Sequence, residues 1–127
     1  MIPFFDRNFG TRVPRAIRLV GRDIRYHDEE FAAQDTPDTD IIPNVARNGW
    51  VMLTRDKKIR RRPAEVAAIR MARAKCVVLA QRSALNAWGL LHRVVCSWED
   101  IETIVDRSSG PFILNVYKDG RLRKVDL

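Results

Sequence analysis

Three separated aspartates are the residues of this sequence best suited to chemistry. Asp6 and Asp56 each follow a short apolar run, and Asp38 opens an acidic cluster that also contains Asp40. Carboxylates held close together repel one another, so such a group needs a cation. Because no His or Cys cluster accompanies them, these hard oxygen ligands favour Mg²⁺ or Mn²⁺ over zinc. The common use of such a site is phosphoryl chemistry, in which the metal activates a water and stabilises the leaving oxygen.

The two apolar runs are the elements that must position Asp6 and Asp56. Residues 3–6 and residues 50–54 have the apolar character of buried strands of a parallel sheet. In open α/β sheets, ligands bind at the carboxyl ends of the strands. We therefore expect the two aspartates to meet at one edge of a sheet. Asp38 would reach the same edge at the start of the helix that leads into the second run.

Asp40 has a structural alternative as a helix cap. If Asp40 is the N-cap of the helix predicted over residues 40–48, Pro43 falls at the third helical position, where its missing N–H costs no helix bond. If Asp38 is the N-cap, Pro43 lies deeper and one helix bond is lost. The spacing does not decide between these readings, so Asp40 is kept as an additional or alternative metal ligand.

The net charge of +7 is concentrated directly after the second apolar run. Residues 55–75 contain nine Lys or Arg and two acids, whereas residues 28–40 contain six acids and no Lys or Arg. A local basic stripe is the usual footprint of a phosphate-backbone partner, although a solvated helix face is the alternative. Asn8 is a candidate for orienting a water or a phosphate. The candidate contacts to flanking phosphates are Arg55, Lys57, Lys58, Arg60 and Arg61.

The remaining pattern alternates strands with helices. Further strands are predicted over residues 23–26 and 76–80, and further helices over residues 11–20 and 63–74. Val13, Ile17 and Val20 recur at helical spacing in the first of these helices, and the polar stretch over residues 29–37 is expected to be a loop. Two more helices are predicted, with caps at Ser83 and Ser97; the first would bury Leu85, Trp88, Leu91 and Val95 on one face. Asp119-Gly120 predicts a β-hairpin between residues 112–117 and 122–125. The pattern indicates one three-layer α/β/α domain over residues 1–127, with a mainly parallel sheet and a C-terminal β-hairpin.

Composition indicates a cytoplasmic protein that does not span a membrane. No apolar run reaches the length of a membrane span, and Asp6 interrupts the N-terminal run that a signal peptide would need. Cys76 and Cys96 lack the spacing of metal ligands. Both are expected to be buried thiols in a reducing compartment.

Several segments in the first half of the chain have the order and spacing typical of one family. They are Phe4-Phe5-Asp6-Arg7-Asn8, Gln34-Asp35-Thr36-Pro37-Asp38, Ile41-Ile42-Pro43, Gly49-Trp50-Val51-Met52-Leu53-Thr54-Arg55-Asp56 and Ile59-Arg60-Arg61-Arg62-Pro63. Over roughly residues 3–65 they resemble the PIN-like domain family of VapC-type toxins. The resemblance implies a metal-dependent endoribonuclease that acts as the toxin of a type II toxin–antitoxin system. Asp6, Asp38 and Asp56 would take the places of the PIN carboxylates.

The resemblance also implies partners: RNA as substrate, Mg²⁺ or Mn²⁺ as cofactor and a cognate antitoxin protein. Lys58 stands where many members carry a further acid, and a separate glutamate after the first helix is not obvious. The alternative is a non-catalytic nucleic-acid- or partner-binding module with a degenerate PIN-like site. Receiver domains need an acidic pair near the end of the first strand. This chain has the single acid Asp6 there, followed by Arg7, so a receiver-like domain is disfavoured. The oligomeric state stays open, with a homodimer among the options.

Overall fold

A six-stranded sheet is the frame of the molecule. A computed structural model describes residues 1–80 and 85–127. The strands are β1 (Pro3–Phe5), β2 (Arg25–Tyr26), β3 (Val51–Thr54), β4 (Lys75–Leu79), β5 (Phe112–Val116) and β6 (Leu122–Asp126). Their order across the sheet is β2-β1-β3-β4-β5-β6. The first five strands are parallel, and β6 is antiparallel to β5, which confirms the predicted C-terminal hairpin.

Helices cover both faces of this sheet. They are α1 (Arg12–Leu19), α2 (His27–Glu30), α3 (Asp38–Arg47), α4 (Pro63–Ala72) and α5 (Ala87–Arg107), with 3-10 turns at Arg7–Phe9 and Ile59–Arg61. Apolar residues of α1 and α5 form one core cluster, and those of α3 and α4 form a second. The chain therefore has the predicted three-layer α/β/α architecture. Among the described helices, none combines the length and the apolar character that crossing a membrane requires.

The strands read as continuous apolar runs because both of their faces are buried. Phe5 and Leu53 belong to the core under α1 and α5, whereas their neighbours Phe4 and Met52 belong to the core under α3 and α4. Successive side chains of a strand point to opposite faces, so a sheet covered on both sides needs apolar residues at every position. On the second face, burial raises the pKa of the Cys76 thiol to about 12, so it stays neutral.

Most predicted elements are present within two residues of their expected bounds, but three local expectations are wrong. The stretch predicted as a loop over residues 29–37 begins inside α2. Val20, expected on the apolar side of α1, follows the helix and is 80% exposed. Cys96 is an exposed free thiol rather than a buried one. The side chains of Val20 and Cys96 are apolar or weakly polar. Whether such a side chain is buried depends on which neighbouring elements pack against it.

Neither aspartate is the cap of α3. Asp38 is the first helical residue, and Pro37 is the N-cap, without a side-chain cap hydrogen bond. The readings in which Asp40 or Asp38 caps the helix are therefore both wrong. Pro43 lies inside the helix and supplies no N–H for a backbone bond, so α3 lacks one bond of its ladder. The buried side chains Ile41, Ile42 and Val45 hold the helix on the sheet despite that loss.

The C-terminal helical region is one helix instead of the predicted two. Asn86 caps α5, with its side chain accepting from the Gly89 N–H at 2.8 Å. Ser97 is inside the helix, and the proposed cap Ser83 lies outside the described residues. The predicted face is also wrong, because Trp88 is 79% exposed and Val95 is 55% exposed. The buried face consists of Leu90, Val94, Trp98, Ile101 and Val105.

Val94 and Val95 test this assignment as a matched pair on α5. Val94 is fully buried, so Val94→Ala removes about two buried carbons and leaves a cavity, which should lower the free energy of unfolding by about 2 kcal/mol. Val95→Ala should change it by less than about 0.5 kcal/mol because that side chain is largely in solvent. Urea denaturation of both variants measures the difference. Equal losses would mean that α5 is rotated about its axis relative to this description.

Candidate active site

The hydroxyl of Thr54 is the centre of a hydrogen-bond network at the carboxyl ends of β1 and β3. It donates to Asp6 Oδ2 (3.0 Å) and accepts from the Asn8 side-chain amide (3.1 Å) and the Asp56 backbone N–H (3.1 Å). Asp6 also accepts from the Arg7 N–H through Oδ1 at 2.8 Å, and its side chain is buried. Both aspartates are therefore positioned relative to one threonine. Sequence reasoning did not select Thr54.

Asp38 lies close enough to Asp6 and Asp56 to feel their charges, but it has fewer hydrogen bonds to offset its burial. Its Oδ1 is buried and has no hydrogen-bond partner within residues 1–80 and 85–127. Burial raises the pKa of the Asp38 carboxyl, and the negative charges of Asp6, Glu65 and Asp56 raise it further, while Arg7 opposes the shift. An aspartate at a helix N-terminus normally gains from the helix dipole. Here the desolvation and the neighbouring carboxylates outweigh that gain.

Arg7 connects the end of β1 to the segment that precedes α3. Its guanidinium donates to the backbone carbonyls of Gln34 and Thr36, the second at 3.0 Å. Because Asp38 follows this segment directly, Arg7 fixes the approach of the α3 N-terminus to β1. The motif residue next to Asp6 thus has a positioning role.

Asp56 is already paired with a cation of the chain. Its Oδ2 accepts from the Arg62 guanidinium, and its Oδ1 accepts from the Lys58 backbone N–H at 3.0 Å. The carboxylates of Asp56, Glu65 and Asp38 together raise the pKa of Arg62. Arg62 therefore supplies positive charge to the carboxylate cluster, which we define as Asp6, Asp38, Asp56 and Glu65.

Glu65 is the carboxylate that sequence reasoning missed. It lies in the first turn of α4, two residues after Pro63 at the helix start. A signal for it was present, because Pro at the first helical position marks a helix N-terminus. The N-termini of helices that follow parallel strands lie at the carboxyl edge of the sheet, where the aspartates were expected. An acid in that first turn was therefore a candidate.

Asp40 is placed differently from the other predicted ligands. It is exposed, and it follows Asp38 by two residues in α3. Two helical residues span about 200°, so the side chains of Asp38 and Asp40 leave opposite sides of the helix. The structure brings Asp6, Asp38 and Asp56 into electrostatic contact, and Asp40 is not among the groups that shift the pKa of Asp38.

The predicted substrate contacts divide into two groups. Asn8 and Arg55 brace one another, since Asn8 Oδ1 accepts from the Arg55 N–H (3.2 Å) and the Arg55 guanidinium donates to the Asn8 carbonyl (3.0 Å). The other four side chains are exposed on the 3-10 turn after β3, which the buried Ile59 anchors. We call them the basic turn; they are Lys57, Lys58, Arg60 and Arg61. In the described part of the chain, none of the four forms an ion pair.

The chemistry of the carboxylate cluster fits a hard divalent cation. All of its donors are carboxylate oxygens, and the buried Oδ1 of Asp38 lacks a partner among the described residues. The described residues contain no group of three or more His, Cys, Asp or Glu side chains already placed to hold a metal ion. Hydrogen bonds to Asp6 and the Arg62 contact with Asp56 use part of the acceptor capacity of these carboxylates. A metal bound through Asp56 Oδ2 would compete with Arg62 for that oxygen.

The position of the cluster follows a general rule of open α/β sheets. The chain passes from β1 to β2 on one side and then returns to β3 on the other, so the strand order reverses between β1 and β3. Ligands bind in the crevice at such a reversal, outside the carboxyl ends of the strands. Asp6 and Asp56 follow the two strands that border this crevice.

Comparison with known families identifies the family of this chain. A family model described as a PIN like domain matches residues 1–81, a range that includes β1 to β4 and the whole carboxylate cluster. Comparisons with curated proteins and with solved structures gave no match. PIN-like domains are generally nucleases, and PIN nucleases typically use divalent metals. Because the match covers more than half of the chain, the protein belongs to the PIN-like domain family.

Proposed function

We propose that this protein is a metal-dependent endoribonuclease that acts as the toxin of a type II toxin–antitoxin system. The observation that carries the proposal is the buried Oδ1 of Asp38, without a partner among the described residues, inside the carboxylate cluster. Buried polar atoms are normally hydrogen-bonded, so an exception at a ligand-binding crevice calls for an explanation. A cation that accepts this oxygen as a ligand explains it.

Asp6, Asp38 and Asp56 would hold Mg²⁺ or Mn²⁺, which would stabilise charge on the scissile phosphate and help to deprotonate the attacking water. The side chains of this chain do the remaining work. Thr54 and the Arg7 N–H keep Asp6 in one orientation. Asp38 must be ionised to bind a cation, although burial favours its neutral form. Glu65 and Asp40 are available as further oxygen donors.

The basic turn is proposed to hold the RNA. Its four exposed cations follow Asp56 directly, and exposed Lys and Arg bind phosphates without reading sequence. Arg55 has a half-buried guanidinium that already braces Asn8. Any contact of this pair with RNA uses the remaining N–H groups of Arg55. Arg62, once released from Asp56, is a further phosphate ligand close to the scissile bond.

The contact between Arg62 and Asp56 also favours a second candidate, a non-catalytic nucleic-acid-binding module. In that reading Arg62 permanently supplies the positive charge that a metal would supply. Lys58, at a position where many family members carry an acid, would be a second sign that the metal site has been lost. The two functions differ in one measurable property. The nuclease cuts RNA in the presence of Mg²⁺ or Mn²⁺ and stops in EDTA, whereas the binding module retains RNA without cutting it under either condition.

Asp56→Asn should reduce cleavage of total bacterial RNA by at least about 100-fold, since it removes a metal ligand next to the scissile phosphate. The fold should persist, because Asp56 is partly exposed and its amide analogue still accepts one hydrogen bond. Asp6→Asn should be equally inactive, but it should also lose about 1 kcal/mol of stability because both Asp6 oxygens accept hydrogen bonds.

Asp100→Asn is the matched control for that assay. Asp100 is an exposed residue of α5, on the face of the sheet opposite to α3 and α4, so its substitution should leave cleavage unchanged. Circular dichroism and thermal melting establish that each variant is folded. Cleavage by folded Asp56→Asn and Asp6→Asn at the wild-type rate would overturn the assignment of the cluster.

The raised pKa of Asp38 predicts how stability depends on pH. A folded-state pKa above the unfolded one means that the native protein binds the extra proton, so stability falls as pH rises from the ordinary carboxyl value through the raised one. In EDTA, Asp38→Asn should therefore be more stable than wild type at neutral pH. The two proteins should converge near the ordinary value of 3.8, where Asp38 is protonated in the native state.

Urea denaturation at a series of pH values measures this difference. Asp35→Asn is a suitable control, because Asp35 is exposed in the segment just before α3. A variant Asp38→Asn that is less stable than wild type at neutral pH would mean that the Asp38 carboxylate is stabilising, contrary to the buried and crowded environment described above.

A toxin needs an inhibitor, and β6 offers one route for binding it. β6 is an edge strand of the sheet, and four of its five residues are exposed. Exposed edges accept a further strand from a partner. We expect expression of the protein alone to arrest bacterial growth, and co-expression of the protein encoded by a neighbouring gene to relieve the arrest. Normal growth with verified soluble protein at high level would contradict the toxin assignment and favour the binding module.

A further inference from the structure

A pocket lies at the carboxyl edge of the sheet, beside β5. It has a volume of about 700 Å³ and is bordered by Lys57 and Arg60 of the basic turn, by Asn115 in β5, and by the β5–β6 hairpin with Tyr117 and Lys118. This volume is within the range of small-molecule sites. At the usual strand spacing, β5 lies about 14 Å from β1, which precedes Asp6, and about 10 Å from β3, which precedes Asp56. None of the four carboxylates borders the pocket, so it is a separate cavity beside the carboxylate cluster, with Lys57 at its border directly after Asp56.

Asn115 is the unexplained polar residue of this pocket. It interrupts the apolar strand β5, its side chain is 5% exposed, and its Nδ2 is buried without a hydrogen-bond partner among the described residues. Asn115 shares the α3 and α4 face of the sheet with Ile113, two residues before it. A buried amide normally has its donors satisfied. A ligand in the pocket that presents an acceptor atom would satisfy this one.

Tyr117 adds an aromatic surface at the mouth of the pocket. It follows Asn115 on the same face, is half-buried, and has the Arg121 guanidinium 5.5 Å from its ring centroid. Aromatic rings and guanidinium planes are the groups on which unpaired nucleobases stack. Tyr117 and the amide of Asn115 thus provide the two kinds of contact by which a single base is held.

The charge around the pocket indicates the rest of the ligand. Four basic residues and one acidic residue border it, a net charge of +3. Arg121 is paired with Asp119 at 2.7 Å, whereas Lys57, Arg60 and Lys118 form no ion pair within the described residues. Three cations without an ion pair in the described part of the chain, around an aromatic and amide pocket, match a nucleobase with its flanking phosphates.

We propose that this pocket is a base-selective subsite for one nucleotide of single-stranded RNA. The choice of RNA over a free nucleotide rests on the proposed function, and the shared edge of the sheet would let one strand reach both the pocket and the carboxylate cluster. Asn115 contacts the base edge, Tyr117 stacks on the base, and Lys57, Arg60 and Lys118 contact the phosphates. The pocket would thereby set which nucleotide lies at a fixed distance from the scissile bond.

Binding of fluorescent RNA octamers in EDTA tests this subsite without cleavage. The probes are octamers of adenylate, cytidylate and uridylate, and a mixed octamer rich in guanylate. Wild type should prefer one base, and Asn115→Leu should lower affinity for that octamer by about 10-fold and erase the preference, because it removes the amide at nearly constant volume. The salt dependence of binding should not change in this variant, since no cation is lost.

Two further variants separate stacking from charge. Tyr117→Leu should weaken binding of every octamer by roughly 5- to 150-fold. Lys118→Ala should weaken all of them equally and reduce the slope of log affinity against log salt by about 0.7. Trp88→Leu is the control, because Trp88 is an exposed aromatic residue of α5 outside this pocket. It should bind RNA as wild type does.

The outcomes distinguish this inference from the proposed function. The subsite would be overturned if folded Asn115→Leu and Tyr117→Leu both bound the octamers with the affinity and base preference of wild type. If thermal melting shows that Asn115→Leu is unfolded, the binding measured for Tyr117→Leu decides whether the subsite exists. A mononucleotide that binds as tightly as the octamer would overturn the RNA assignment in favour of a free nucleotide. Lost binding in Tyr117→Leu with undiminished cleavage by Asp56→Asn would support the subsite and reject the cluster as the nuclease centre. Lost cleavage by Asp56→Asn with unaltered binding by Tyr117→Leu would support the cluster as the nuclease centre and reject the subsite.

Discussion

Negative charge crowded around the half-buried Asp38 carboxyl is the constraint on which the candidate site depends. Burial disfavours the ionised form of Asp38, and the charges of Asp6, Glu65 and Asp56 add to that cost because partial burial leaves less water to screen them. The fold offsets part of this cost through the Thr54 hydroxyl and the Arg7 N–H at Asp6, and through Arg62 at Asp56. Asp38 receives the least compensation. A cation bound at the proposed site would offset this cost and so stabilise the folded protein.

The parallel sheet is what brings these four side chains together. A strand that enters a helix on the way to the next parallel strand leaves its carboxyl end and the N-terminus of the helix at the same edge. Asp6 and Asp56 follow strands, whereas Asp38 and Glu65 lie in the first turns of α3 and α4. Acids are also favoured in a first helical turn by the helix dipole. One topological rule therefore accounts for the position of all four carboxylates.

The same edge of the sheet carries charges of both signs in separate places. The carboxylate cluster occupies the crevice between β1 and β3, and the basic turn with the Asn115 pocket extends from it towards β5 and β6. Exposed cations attract a polyanion over roughly the Debye length, about 8 Å at physiological ionic strength, whereas the carboxylates repel it. Under the proposed function, a nucleic acid held along these cations would approach the cluster only when positive charge, from a metal or from Arg62, offsets the charge of the carboxylates.

The sequence alone was enough to predict the family segments, the parallel strands and the placement of Asp6 and Asp56 at one edge. Apolar runs mark buried strands, and Pro, Gly and Asp mark the ends of helices and strands, so both signals are local in the sequence. It did not decide which apolar stripe of α5 is buried, since the two stripes have similar helical spacing and differ only in what packs on them. Nor did it reveal Thr54, Glu65 or the Arg62 pairing, or the isolation of Asp40. Those depend on distances between residues far apart in the chain, and only the tertiary structure determines such distances.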